Sequence, residues 1–295
     1  MVKRDPGPIR AARMLRADLR RAREASGITQ QEVAERMSWS LSKVTRIESG
    51  DVGITSVDLR ALARLLGMGE TAIREVVRRN EASRARGWWY DYRTVMSSTY
   101  VDLVGMESDA EQLREYAVSV VPGLLQTPAY ATSVVSSVGD HFSPEDPEKF
   151  ESDLRVEIRL RRQQNVLDGS DPPELMVILD ESVLYRAVGD FETMAGQVRR
   201  LAELARRPQV RIGILPFERR CHCPHNYLIV DLDLVYAEMM TDEIRFDDPS
   251  HVEVYRRLFD SAWAEVLDAD RTGQLLQRVA GDYESGRWPR PWLWE

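Results

Sequence analysis

Three side chains in the first fifth of this sequence have types and spacing suited to chemistry. Ser42, Lys43 and Arg46 follow Ser40, while Val44 and Ile47 recur on the opposite side of the same short helical stretch. A hydroxyl, an ammonium and a guanidinium opposite an apolar back form a donor surface rather than a core. Arginine can pair bidentately with the guanine edge, and lysine can take phosphate or guanine. A second group is acidic. Asp180 and Glu181 end the apolar run Leu175–Leu179, Arg186 follows, and Glu238 ends a later apolar run. Together they could line a ligand cleft at strand ends, or Arg186 could pair with one carboxylate for structural reasons. A third group, Cys221-His222-Cys223-Pro224-His225, offers four potential metal ligands within five residues. So short a run cannot wrap one tetrahedral ion, because that needs a chain turn between ligand pairs. An ordinary loop and no metal are expected there.

The elements around the first group are well marked. Thr29-x-x-Glu32 is a capping box, and Val33, Ala34 and Met37 give the helix after it one apolar face. Met37-Ser38-Trp39 breaks the pattern, Ser40 caps a second helix running to Glu48, and Gly50 stops it. Two short helices joined by a tight turn, the second exposing Ser, Lys and Arg, have the form of a helix-turn-helix DNA reader. An amphipathic helix over Ile9–Ser26 precedes the pair, with Leu15 and Leu19 inward. Thr55-x-x-Asp58 opens a fourth helix and Gly69–Arg79 makes a fifth.

Residues 10–79 resemble the Xre-like family of phage Cro and repressor proteins. The resemblance rests on Ile28-Thr29-Gln30-x-Glu32-Val33-Ala34, on Ser42-x-Val44-x-Arg46-Ile47-Glu48-x-Gly50, and on Leu59-x-x-Leu62-Ala63. It implies that the second motif helix enters the major groove, with Ser40, Leu41, Ser42, Lys43 and Arg46 facing DNA. It also implies that Gln30 holds a phosphate. Leu41 would offer only apolar contact, such as to a thymine methyl.

Charge is divided in the same sense. The chain has 40 basic and 48 acidic residues, a net charge of −8. The first 86 residues hold 18 basic and 11 acidic, or +7, and the remainder holds 22 and 37, or −15. A basic module on an acidic body suits phosphate attraction at one end and repulsion at the other. No apolar run approaches the length of a membrane span, the first residues lack an apolar signal segment, and two cysteines make no disulfide framework. A cytoplasmic protein is expected.

The rest reads as a second domain, making an α+β multidomain chain. A five-helix helix-turn-helix domain (1–80) and an aromatic boundary at 81–92 (Trp88, Trp89, Tyr90, Tyr92) come first. A mixed α/β effector or dimerisation domain with a small sheet (93–280) and a Trp-rich tail (281–295) follow. The tail is too aromatic for an ordinary disordered end and should pack on its own domain or on a second protomer. Helices are expected over Tyr100–Val118, 143–166, Phe191–Arg206 and Ser250–Leu267, the last with Val254, Leu258, Phe259 and Trp263 inward. Pro128 should open another. Strands are expected over Glu174–Asp180, Val210–Phe217, Asn226–Asp231 and Leu234–Glu238.

Residues 88–280 resemble the effector-like domain that follows an Xre-like reader in many actinobacterial regulators. Those proteins are often described as antitoxin-like and are encoded beside a small partner protein. The matching pieces are Val121-Pro-Gly-Leu-Leu-Gln-Thr127 with Tyr130-Ala131, Arg159-x-x-Arg162-Gln163, Leu179-Asp-Glu181, Met194-x-x-Gln197, Ile214-Leu-Pro-Phe217 and Val235-Tyr-x-Glu238. Glu218-Arg219-Arg220-Cys221 stands where that family usually has a glycine. The resemblances imply a DNA-binding transcriptional regulator that acts as a homodimer on a pseudo-palindrome and whose second domain senses a small molecule or partner protein. They imply no cofactor. Two other readings are an antitoxin that neutralises a small partner, and a DNA-targeted enzyme using NAD. The enzyme reading rests on Leu184-Tyr185-Arg186 with Glu238, which are similar to the Tyr-Arg strand and later glutamate of some ADP-ribosyltransferases. A Ser-Thr-Ser-type strand is not evident.

Overall fold

The computed structural model describes residues 7–50, 52–94, 96–142, 152–220, 222–238 and 243–291. The chain divides into two units, Met1–Asp91 and Tyr92–Glu295.

The first unit holds five helices: α1 (Pro8–Ser26), α2 (Gln30–Met37), α3 (Leu41–Ser49), α4 (Ser56–Leu65) and α5 (Glu70–Ala82). Each short helix is fixed at its start by a side-chain cap. Thr29 and Glu32 form the complete capping box of α2, Ser40 accepts from the Lys43 N–H, and Thr55 accepts from the Asp58 N–H. A cap supplies about 1 kcal/mol, which matters for helices of two or three turns that are marginal alone. Their inward stripes merge into one core of Leu15, Leu19, Val33, Val44, Ile47, Leu59, Leu62, Ile73 and Val76. Ser38 (φ 55°) ends α2, and Gly50 (φ 94°) ends α3. The left-handed backbone at Gly50 favours glycine there, since a side chain would be strained at that φ.

The second unit is a six-stranded mixed sheet flanked by helices. Its strands are β1 (Gln112–Ala117), β2 (Glu174–Asp180), β3 (Val210–Leu215), β4 (Tyr227–Val230), β5 (Leu234–Glu238) and β6 (Glu243–Phe246), in the order β3-β2-β1-β4-β5-β6. The helices are α6 (Ser98–Asp109), α7 (Pro128–Phe142), α8 (Ser152–Leu167), α9 (Phe191–Leu204), α10 (Pro249–Trp263) and α11 (Ala269–Glu284). β1, β2 and β3 run parallel, joined by helical crossovers, and β4 to β6 continue antiparallel. Both faces of the parallel part are buried. Tyr116, Met176 and Ile178 face Phe259 and Ala262 of α10, and Leu113, Leu175, Val177 and Leu179 on the opposite face are fully buried too. Burial on both faces explains why β2 reads as a continuous apolar run instead of an alternating one.

Three expectations need correction. The helix expected over Tyr100–Val118 ends at Asp109, and its second half is β1, the strand that hydrogen-bonds to both β2 and β4. Leu113, Tyr116 and Ala117 are spaced as a helix would space them, but two open strand edges outweigh that local pattern. Val254 is exposed (46%), and Val252 is the buried valine of α10. β6 and α11 were not anticipated, and α11 extends through residues 281–284 of the expected tail. Trp288, beyond it, lies 4.8 Å from Phe191 and 5.8 Å from Tyr283, so that part of the tail packs on its own unit. Of the expected helix over 143–166, residues 143–151 lie outside the described residues, as do Cys221 and residues 292–295.

Candidate nucleic-acid interface

α3 has two faces of different character. Val44 (3% exposed) and Ile47 (4%) are locked into the core, while Ser42, Arg46 and Leu41 (45%) are exposed and Ser40 at the cap is exposed as well. The burial of Val44 and Ile47 fixes the rotation of the helix, and with it the direction of the donors. The Arg46 side chain makes no hydrogen bond or ion pair among the described residues. Its guanidinium can therefore meet a base edge without first giving up a partner.

Lys43 and Gln30 are placed differently. The Lys43 Nζ lies 3.9 Å over the Trp39 ring and 3.4 Å from Asp58 Oδ2. Gln30 Nε2 donates to Glu48 Oε2 at 2.8 Å, and Thr45 Oγ1 lies 3.2 Å from Gln30 Oε1. Glu48 is 8% exposed and also accepts from Arg23, through Nε at 2.6 Å and Nη2 at 3.2 Å. This carboxylate ties α1, α2 and α3 together and holds Arg23 above its ordinary value, chiefly through the hydrogen bond. Sequence reasoning missed Glu48 as a junction. It lies on the same side as Val44 at i+4, which was the available signal.

The capping box carries a pH prediction. The Thr29 N–H, and then its hydroxyl, hold the Glu32 carboxyl below its ordinary value of 4.5. A lowered value in the folded state stabilises above the unfolded value and is lost as pH falls through the folded one. Thermal unfolding of the full chain should therefore fall more steeply below about pH 4.5 than that of Glu32→Gln, which keeps a capping side chain without the titration. Equal acid limbs would count against this assignment.

The acidic candidates are dispersed. Asp180 Oδ1 accepts from the Ser182 N–H at 3.0 Å and caps the 3-10 turn Glu181–Leu184. Glu181 is fully buried, accepting from the Tyr185 hydroxyl at 2.9 Å and the Phe217 N–H at 3.1 Å. Arg186 is exposed. Glu238 ends β5 at the same end of the sheet as Asp180, because β5 runs parallel to β2. β1 and β4 lie between them, so about 14 Å separates the two strands. The Glu238 side chain lies outside the described residues. Tyr185 and Arg186 follow a 3-10 turn and are not on a strand. Among the described residues no group of three metal-ligating side chains gathers, and the Cys223 thiol lies 3.6 Å from the His225 ring.

A family model described as a helix-turn-helix domain matches residues 15–76, and one for a domain of unknown function, DUF5753, matches residues 100–278. The chain belongs to the DUF5753 family. No curated protein and no solved structure matches it. The helix-turn-helix domain supports a DNA-binding regulator, and no helix among the described residues is long and apolar enough to cross a membrane.

Within the DUF5753 domain a set of polar side-chain contacts surrounds residues 121–127. Gln163 Nε2 donates to the carbonyls of Gly123 (2.7 Å) and Gln126 (2.9 Å), and Gln197 donates to Leu125 O (2.9 Å) while accepting from the Thr127 N–H (2.7 Å). Arg159 Nη1 donates to Gln126 Oε1 at 2.8 Å. Beneath this segment Arg162 meets Glu107, Nε to Oε2 at 2.6 Å, and donates to the Tyr100 hydroxyl at 2.8 Å. Burial pushes the Glu107 carboxyl up, and Arg162 opposes it. Gln163 and Gln197, both buried, thus satisfy backbone groups of an irregular segment that lies outside any strand.

Proposed function

We propose that this protein is a sequence-specific transcriptional regulator of double-stranded DNA, of the Xre-like kind. α3 enters the major groove, Arg46 reads a guanine, and Ser42 contacts a neighbouring base edge. Ser40 and Leu41 border the groove, and Gln30 approaches the phosphate backbone from the N-terminus of α2. The observation that carries this reading is the exposed, unpaired Arg46 on a helix whose opposite face is buried. The protein acts as a cytoplasmic homodimer on a pseudo-palindromic operator, with half-sites about 34–36 Å apart. The DUF5753 domain senses a small molecule or a partner protein and alters the spacing of the two readers. No cofactor enters this scheme. On the antitoxin-like reading, that signal is a small partner protein.

Pull-down of genomic fragments by the full chain, with and without candidate effectors, tests the reading. Enrichment of one short inverted repeat is the expected result. Uniform recovery of all fragments, or of none, would remove sequence-specific regulation. Co-purification with the product of the adjacent gene would identify the signal as a protein. Label transfer from NAD would instead favour the enzyme.

A further inference from the structure

α3 carries two cations of different status. Arg46 has no partner among the described residues, whereas Lys43 is held from two sides. Trp39, one side, is partly buried and packed against the core of the first unit, so it is a fixed platform. Asp58, the other, is the third residue of α4 and lies in its first turn, where the helix dipole favours a negative charge. Lys43 is one of three lysines among the 40 basic residues of the chain. A flexible ammonium at this place would ordinarily follow any phosphate on any duplex. Here a phosphate must compete with Asp58, whose own charge repels it.

We infer that Asp58 is a specificity-determining residue, which holds Lys43 against Trp39 and away from the DNA backbone and so suppresses sequence-independent binding. The inference rests on the DNA-binding reading above. Non-specific affinity scales with the number of phosphates neutralised, whereas a base-reading arginine contributes only on the right sequence. Restraining one phosphate-seeking cation therefore weakens the non-specific complex more than the specific one. It acts as a repulsive element against the wrong partner, here random DNA. The side chains of Lys43 and Asp58 are 39% and 36% exposed, so the restraint is modest and reversible. It is a bias between complexes and leaves the fold unaffected.

The experiment measures full-length protein binding to a random-sequence duplex across a salt series. Wild type is compared with Asp58→Asn, Lys43→Met and the double variant. Asparagine has the same shape and keeps a polar group in the first turn of α4, and a thermal melt confirms that each variant folds. Asp58→Asn should raise non-specific affinity about threefold to tenfold and steepen the slope of log K against log salt by about one, the mark of one additional phosphate contact. Lys43→Met should leave the wild-type slope unchanged, and the double variant should return to it. An unchanged slope in Asp58→Asn would overturn the inference while leaving DNA binding intact. So would a double variant that keeps the steeper slope, since loss of the negative charge alone would then explain it. Failure of wild type to bind any duplex at low salt would overturn both the inference and the reading beneath it.

Discussion

Replacing Arg46 by alanine should weaken binding to the selected operator by roughly 1–3 kcal/mol and relax preference at one base position. That is about 5-fold to about 150-fold in affinity, the range of one good bidentate contact. The effect should be large because Arg46 has no internal partner to lose, so nothing in the free protein offsets the missing base contact. It should also be local. Arg46 is exposed and lies opposite the buried Val44 and Ile47, so the fold of the first unit should not change. Fluorescence anisotropy on the operator and on single-base variants would measure it. Unchanged affinity and unchanged base preference would remove Arg46 from the interface.

Replacing Arg162 by methionine should destabilise the second unit by about 3–5 kcal/mol, because a buried carboxylate loses its cation. Glu107 is fully buried, and Arg162 is 6% exposed. With Arg162 gone, burial alone acts on Glu107, and burial favours the protonated form. A carboxyl whose folded value lies above its unfolded value contributes stability at low pH and loses it as pH rises. The deficit of Arg162→Met should therefore be smaller at pH 5 than at pH 8. Adding Glu107→Leu should recover much of the loss, since an apolar pair of similar volume is often neutral at such a site. Denaturant melts of wild type, Arg162→Met and the double variant at both pH values would test this. A deficit independent of pH, with no recovery in the double variant, would show that Arg162 stabilises by packing alone.

The reader was legible because its signals are short-range. Thr29, Glu32, Ser40, Thr55 and Gly50 act within one helical turn of themselves, and the caps stand where the residue types placed them. The apolar periods of α2 to α4 reinforce the caps, so local preference and core burial agree. β2 was legible for a similar reason, since a strand buried on both faces carries an uninterrupted apolar run. β1 was not, because its identity depends on β2 and β4, which lie more than fifty residues later in the chain. The acidic candidates show the same limit. Strand-end position groups Asp180, Glu181, Arg186 and Glu238, but the strand order puts two strands between β2 and β5, and Glu181 is turned into the interior.

The sequence by itself determined the two-part organisation, the capped helices of the reader and the face of α3 that carries Arg46. Each follows from covalent neighbours and helical period. Only the tertiary structure decided that Lys43 is held by Asp58 while Arg46 is free, and that Glu48 joins three helices. It alone decided that Glu107 and Arg162 pair beneath residues 121–127. Those contacts join residues 15 to 55 positions apart, and their strength depends on distance and burial, which residue types and spacing do not specify.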